Sequence, residues 1–512
     1  MADQEREPIK QPGFDSMLEN SAPELPPNDT VQKVSPWRKA MNRILIGMGL
    51  SAITLNFWGL NYILPTIGIL LALLGFRTLR GENGWFKGCW IFSSIRTACF
   101  LSSMILNTTI FHGTVYDSPA SRVLAMIDLA LLLLISLFLW KGLRFVQQKA
   151  ELPAHAGSAI AMLVWYAALC LLAVLQYSGI MIALIMLIAY VLIIRSLFKL
   201  SGELDESGYA IQTTAVRAPD WAIITIALVA LAVGMVCGYL FFNSYPMEWQ
   251  SAEGSDEVEA VQIREHLIDL GFPKTILEDL TDEDIKACDE ALRVVVNVSD
   301  HPANNGRSVV EHNGNTAHHY TVYDVEELRI TGVGVELPGE RERWQIFHHF
   351  LWTVDPGFYG TEAIQLWPAY RQGEVWEPAG DVTGRVLYDW DGQSYAAPYH
   401  SLGAETYTST SILWGEQVST DVFATFSMPH EGENHRGYLT YSIQKNQGDQ
   451  DGWMVDAWVN YTHQTSWLQY PAMTAVEKRK LGSGTNAGAF ITIQDALQFQ
   501  SKKEIPEPAQ QK

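Results

Sequence analysis

Polar side chains inside long apolar runs are the first residues in this sequence that could do chemistry, because a charge in hydrocarbon is costly and usually has a task. Asp128 lies about six residues into the apolar run 122–140. Asn107 and Thr108 lie near the end of the preceding run, 89–111, at similar depth if each residue rises about 1.5 Å. The spacing predicts that Asp128 hydrogen-bonds Asn107 or Thr108 across a helix pair, as a cation or proton path or as interhelical glue. Arg96, toward the other end of its run, is expected to lie too deep to match Asp128 and to snorkel to the headgroups. Asn56 and Asn61 flank a break between two short apolar runs and complete the candidate intramembrane polar site.

Outside these runs the candidate chemistry is sparser. His430 and His435 are five residues apart, with Pro429 before them and Gly432 between them. Helical zinc ligands need a spacing of four on an unbroken helix, so the segment reads as a polar loop. His318-His319 and His348-His349 fall in predicted strands, where neighbours point to opposite faces and do not chelate together. Asn446 to Gly452 resembles a calcium loop in Asp449 and Asp451 but lacks the downstream glutamate, and so reads as a turn. The Gly-rich stretch 482–488 lacks the Lys-Ser/Thr pair of a phosphate-binding loop. No catalytic residue, cofactor or metal ligand is assigned.

Tryptophans mark the second half of the chain. Trp367, Trp376, Trp390 and Trp414 form the candidate aromatic binding surface, since indole platforms stack on sugar rings; the alternative is cross-strand and core packing.

These residues need elements to position them, and the apolar runs supply the first set. A span takes about 20 residues to cross roughly 30 Å of hydrocarbon. Seven runs qualify or nearly qualify: 43–58, 62–79, 89–111, 122–140, 157–177, 179–198 and 221–242. The first two are short, and Pro65 lies in the second, so 43–79 reads as two short spans or a re-entrant hairpin. Lys and Arg crowd alternate loops: Arg38, Lys39 and Arg43; Arg77, Arg80 and Lys87; Lys141, Arg144 and Lys149; Arg195 and Lys199. The positive-inside rule therefore predicts a cytoplasmic N-terminus in a plasma membrane, with the C-terminal half on the far side.

Charge separates the halves. Residues 243–512 hold 41 acidic and 18 basic side chains, and the remainder holds 15 and 17, for a net charge of −21 over 512 residues. So acidic a half disfavours nucleic acid as a partner. Of five cysteines only Cys288 lies there, so the domain has no disulfide of its own. Its sequence opens with a spacer. A helical pair follows, with Gly271 as a helix stop and Thr281 as an N-cap before three acidic residues. From about 292 the pattern changes to β-branched and aromatic alternation, with a tight turn at Asp391-Gly392.

The reading is an α-helical polytopic membrane bundle followed by an extracytoplasmic α+β domain, mainly antiparallel and sandwich-like. Its expected boundaries are a disordered cytoplasmic tail at 1–37, the bundle at 38–242, a linker at 243–258, the helical pair at 259–293, the β-rich domain at 294–500 and a disordered tail at 501–512. Expected partners are the lipid bilayer and an envelope protein or cell-wall polymer. Two functions compete. One is a membrane-anchored binding or scaffolding domain. The other is a transporter or permease-like component with an accessory domain, for which broken first spans and a polar mid-membrane cavity would be the signs.

Overall fold

The computed structural model describes residues 35–52, 55, 59–154, 156–175, 179–209, 211, 218–252, 257–313, 316–368, 375–411, 415–446, 454–467, 469–481 and 488–501. The chain divides into two compact units, Met1–Met104 with Tyr116–Leu231, and Ile105–Val115 with Ala232–Lys512.

Helices make up the first unit and reach into the second: α1 (Pro36–Ala52), α2 (Leu60–Leu79), α3 (Gly84–Leu106), α4 (Phe111–Asp117), α5 (Pro119–Lys149), α6 (Gly157–Val174), α7 (Ile180–Glu206) and α8 (Asp220–Phe241). Five of them, α2, α3, α5, α7 and α8, are long and apolar enough to cross a membrane, which makes this a membrane protein by length and composition. A helix begins at Pro36, inside the segment expected to be a tail. Ser35 accepts from the Arg38 N–H at 3.2 Å and Pro36 takes the first helical position, a start signal that hydropathy alone passes over.

Helices α1 and α2 pack backbone to backbone. A Cβ added at Gly47 would lie 2.5 Å from the Gly68 carbonyl oxygen, and one at Gly68 would lie 2.6 Å from the Gly47 carbonyl oxygen. Small residues give this approach in lipid, where no hydrophobic effect drives helices together. The basic residues behind the topology prediction are partly matched by acids. Asp220 bridges Arg43 at 2.7 Å and Arg77 at 3.0 Å, and the buried Glu82 meets Lys149 at 3.0 Å.

In the second unit two sheets share a core, with every pairing antiparallel. The larger sheet runs β1 (Gln250–Ser251), β10 (Gln393–Pro398), β9 (Thr383–Trp390), β13 (Glu433–Lys445), β6 (Arg343–Trp352), β5 (Leu328–Leu337), β2 (Arg293–His301), and β8 (Trp376–Pro378) also pairs with β13. The smaller runs β11 (Ser401–Ser411), β12 (Gly415–Phe426), β7 (Glu362–Pro368), β14 (Met454–Gln464), β15 (Phe490–Gln500). A hairpin, β3 (Arg307–Asn313) with β4 (Thr316–Val322), forms its own two-stranded sheet.

The sandwich core brings Trp344, Ile346 and Phe350 of β6 and Leu439 and Tyr441 of β13 against Ile364, Leu366, Val422 and Val459 of the other sheet. The opposite face of the larger sheet is covered by α9 (Val258–Asp269), α10 (Lys274–Leu277) and α11 (Asp282–Lys286), whose Leu267, Ile276, Leu277 and Ile285 meet Val333, Phe347, Leu387 and Tyr438. Strand β6 is therefore buried on both faces over nearly its whole length, its polar Gln345, His348 and His349 included. Gly271 takes φ +97°, as expected of a helix stop, and Thr281 accepts from the Asp284 N–H. Asp391 and Gly392 both adopt positive φ, forming the tight β9–β10 turn. The helix α12 (Ala475–Lys480) is closed by a capping box between Thr474 and Glu477.

One boundary differs from expectation. Residues 243–251, read as linker, belong to the sandwich. The Tyr245 N–H donates to Ser427 Oγ at 2.9 Å, β1 pairs with β10, and Met247 and Trp249 pack against the core. The aromatic residues in this stretch gain more from burial than a solvated spacer would.

Candidate functional site

Asp128 pairs with Arg96, not with Asn107 or Thr108: Arg96 Nε donates to Asp128 Oδ1 at 2.9 Å. The expectation failed on helix ends. Helix α3 stops at Leu106 and α5 starts at Pro119, so Arg96 and Asp128 lie ten and nine residues from those ends. At 1.5 Å per residue both are about 14 Å in. Asn107 instead donates to the Tyr470 hydroxyl at 3.4 Å, and Thr108 to the Ile105 carbonyl at 2.6 Å. Asn61 is the second residue of α2, and Asn56 lies outside the described residues. A cavity beside Arg96, lined by Ser51, Ser93, Ser136 and Tyr166 among others, holds about 20 Å³, room for about one water. Asp128→Ala would leave Arg96 unpaired in hydrocarbon. The expected cost is about 2 kcal/mol in a detergent unfolding assay, with most of it recovered in Arg96→Leu/Asp128→Ala.

The three described tryptophans of the candidate surface, Trp367, Trp376 and Trp390, do not form one surface. Trp376 is buried in the sandwich core and donates to the Met454 carbonyl at 2.8 Å, because β8 covers the end of β13. Trp367 stacks on Trp458 across β7 and β14, centroids 5.9 Å apart and planes 16° apart. Trp390 is 51% exposed beside the β9–β10 turn, and Trp414 lies outside the described residues, as do the acidic residues of the 446–452 loop. The paired histidines split as strand geometry requires. His348 stacks on Tyr441 within the sandwich, and His349 meets Asp279 on the other face. Among the described residues no group of three or more His, Cys, Asp or Glu is placed to hold a metal.

Burial lowers the His348 pKa to about 4, against a small opposing effect of Asp495. The folded state therefore holds this ring neutral while the unfolded chain protonates it below about pH 6.5. Stability is full above that value and falls as pH drops toward 4, by up to about 3 kcal/mol. Unfolding midpoints measured from pH 7 to 4 should show this slope, and His348→Phe should flatten it.

A polar cluster that no motif announced sits where the short helices leave the larger sheet uncovered. Register places His349, Tyr438 and Arg385 side by side on β6, β13 and β9, with Leu351, Arg436 and Leu387 in the next row. Asp279, just after α10, drops onto this face. It is buried and accepts from His349 Nε2 at 2.9 Å and Arg436 Nε at 2.8 Å. Arg436 also contacts Asp389 at 2.9 Å. Burial alone would push Asp389 up, but hydrogen bonds from Ser394 and Asn434 and the charge of Arg436 outweigh it and hold the carboxyl below its usual range. Burial likewise works against Arg436, and the two carboxylates more than compensate. These residues other than Tyr438, with Thr275, Glu278 and Ala252, line a cleft of about 340 Å³. No hydroxyl or thiol hydrogen-bonds His349 among the described residues, so a carboxylate–histidine pair is present without a nucleophile.

A second cluster lies where the ends of two membrane helices enter the second unit. Tyr239 of α8 donates to the Gln469 carbonyl at 2.6 Å and its ring meets Trp467 at 5.2 Å. The Ala472 N–H donates to the Asn107 carbonyl at 2.6 Å, and the Ile110 N–H to the Phe242 carbonyl at 3.0 Å. Gly238 admits Thr108, whose hydroxyl would lie 2.0 Å from an added Cβ. Asn107, read from sequence as an intramembrane partner, is thus a contact to the β-rich fold. Neither a family model, nor a curated protein, nor a solved structure matches this chain.

Proposed function

We propose that this protein anchors its β-rich unit at a plasma membrane as an extracytoplasmic binding or scaffolding domain that meets an envelope protein or cell-wall polymer. The observation that carries the reading is the composition of the second unit. Residues 105–115 and 232–242, which take in the last residues of α3, the segment after it and the second half of α8, are packed and hydrogen-bonded into the same compact body as the sandwich. A domain on a loose tether would leave those backbone groups to water. The transporter reading has less support, because the cavity at Arg96 is the size of one water and its charges are spent on each other.

Orientation is tested with a membrane-impermeant thiol reagent on intact cells. Val418→Cys, at a 72% exposed position on β12, should label from outside, and Lys39→Cys on α1 only after lysis. The reverse pattern would overturn the reading.

A further inference from the structure

The cleft beside Asp279 divides into groups that are wired together and groups that are not. Asp279, Arg436, Asp389, Ser394 and Asn434 spend their charges and hydrogen bonds on one another. Arg385 does not. Its Nε and one Nη donate to the backbone carbonyls of Asp279 and Leu280 at 2.9 and 3.3 Å, and no carboxylate pairs with it among the described residues. Across the cleft, Thr275 and Glu278 share one face of the α10 turn, three residues apart. Among the described residues Glu278 meets only Lys274, at 3.8 Å on the exposed side, and the Thr275 hydroxyl has no protein partner. The ring nitrogen of His349 that faces away from Asp279 is also unbonded there.

The unspent groups therefore comprise one cation, one anion, one hydroxyl and one imidazole nitrogen, over a floor that includes Leu351 and Leu387. A simple anion would gain Arg385 but meet Asp279 and Asp389. A simple cation would gain Glu278 but meet Arg385 and Arg436. A volume of about 340 Å³ lies at the small end of ligand pockets, which run from about 300 to 1,000 Å³. We propose that this cleft binds a small zwitterion, a free α-amino acid or a short peptide, with its carboxylate on Arg385 and its ammonium group on Glu278. Leu351 and Leu387 then take a short aliphatic side chain. The proposal rests on reading the β-rich unit as a binding domain.

The test is calorimetric titration of the full chain in lipid nanodiscs with dialanine, acetate, ethylamine and N-acetylalanine amide. Dialanine should bind, and the other three should bind at least about tenfold more weakly. Arg385→Gln should weaken dialanine at least about tenfold, the size of one lost charge-assisted hydrogen bond. Glu278→Gln, at an exposed site where folding is not at stake, should weaken it about fivefold. No heat with millimolar dialanine, equal binding of acetate, or unchanged affinity in both variants would overturn the proposal. A domain that labels from outside but ignores dialanine sinks this inference and spares the anchoring reading; a domain that labels from inside does the reverse.

Discussion

Asp279→Ala is expected to lower the unfolding free energy of the β-rich unit by about 4 kcal/mol, the range seen when one partner of a buried ion pair is removed. The carboxylate is 3% exposed and receives both His349 and Arg436. Without it, among the described residues, His349 has no side-chain partner and Arg436 keeps only Asp389 as a counter-charge, at 2.9 Å. The loss also loosens α10 on the sheet, where the Arg385 bonds to the Asp279 and Leu280 carbonyls and the packing of Ile276 and Leu277 remain. Asp279→Asn keeps the shape and should lose roughly half as much. Urea unfolding followed by tryptophan fluorescence measures both, and a change below about 1 kcal/mol for the alanine variant would show that the cluster does not hold the helices to the sheet.

The second large effect is expected in the membrane. Gly68→Leu places a Cβ about 2.6 Å from the Gly47 carbonyl oxygen and 2.7 Å from the Ser51 nitrogen, both backbone atoms that cannot rotate away. The α1–α2 hairpin must separate, which buries less of Ile44, Leu45 and Met48 and costs at least about 3 kcal/mol. Gly49→Leu is the control, because nothing lies within 4 Å of its added Cβ. Yield of monodisperse protein after detergent extraction should fall sharply for Gly68→Leu and stay unchanged for Gly49→Leu.

Hydropathy made the helices legible, because each long apolar run overlaps a helix. Their ends were less legible, and that is where the site reading failed. The run 89–111 extends apolar character past Leu106, where α3 has already ended, and a few residues of error moved Arg96 out of reach of Asp128. Strand β7 is hard to read from sequence for a different reason. Glu362 and Gln365 interrupt its apolar character, and only tertiary packing makes them strand residues: Glu362 meets His463 at 2.7 Å in the core, and Gln365 meets Asp421 at 2.7 Å on the outer face. Burial raises the Glu362 pKa, partly offset by His463, so even this pair is sustained by context. The tryptophans signalled a β domain correctly, but their exposure depends on which face of which strand they occupy. The cleft was invisible. Its residues, from Asp279 to Arg436, come from separate strands and a helical turn, and only register and the reach of α10 bring them together.

The β-rich unit is built onto the ends of α3 and α8. A disulfide between Asn107→Cys and Ala472→Cys tests it most directly. The Ala472 N–H lies 2.6 Å from the Asn107 carbonyl oxygen, a spacing that brings the two Cα atoms within the range of about 4.4–6.8 Å a disulfide spans. In native membranes, with Cys99 replaced by serine, the pair should oxidise under mild conditions, and protease cleavage between residues 115 and 465 should leave the two fragments joined until reduced. Free thiols in both positions, with fragments that separate without reductant, would contradict the account.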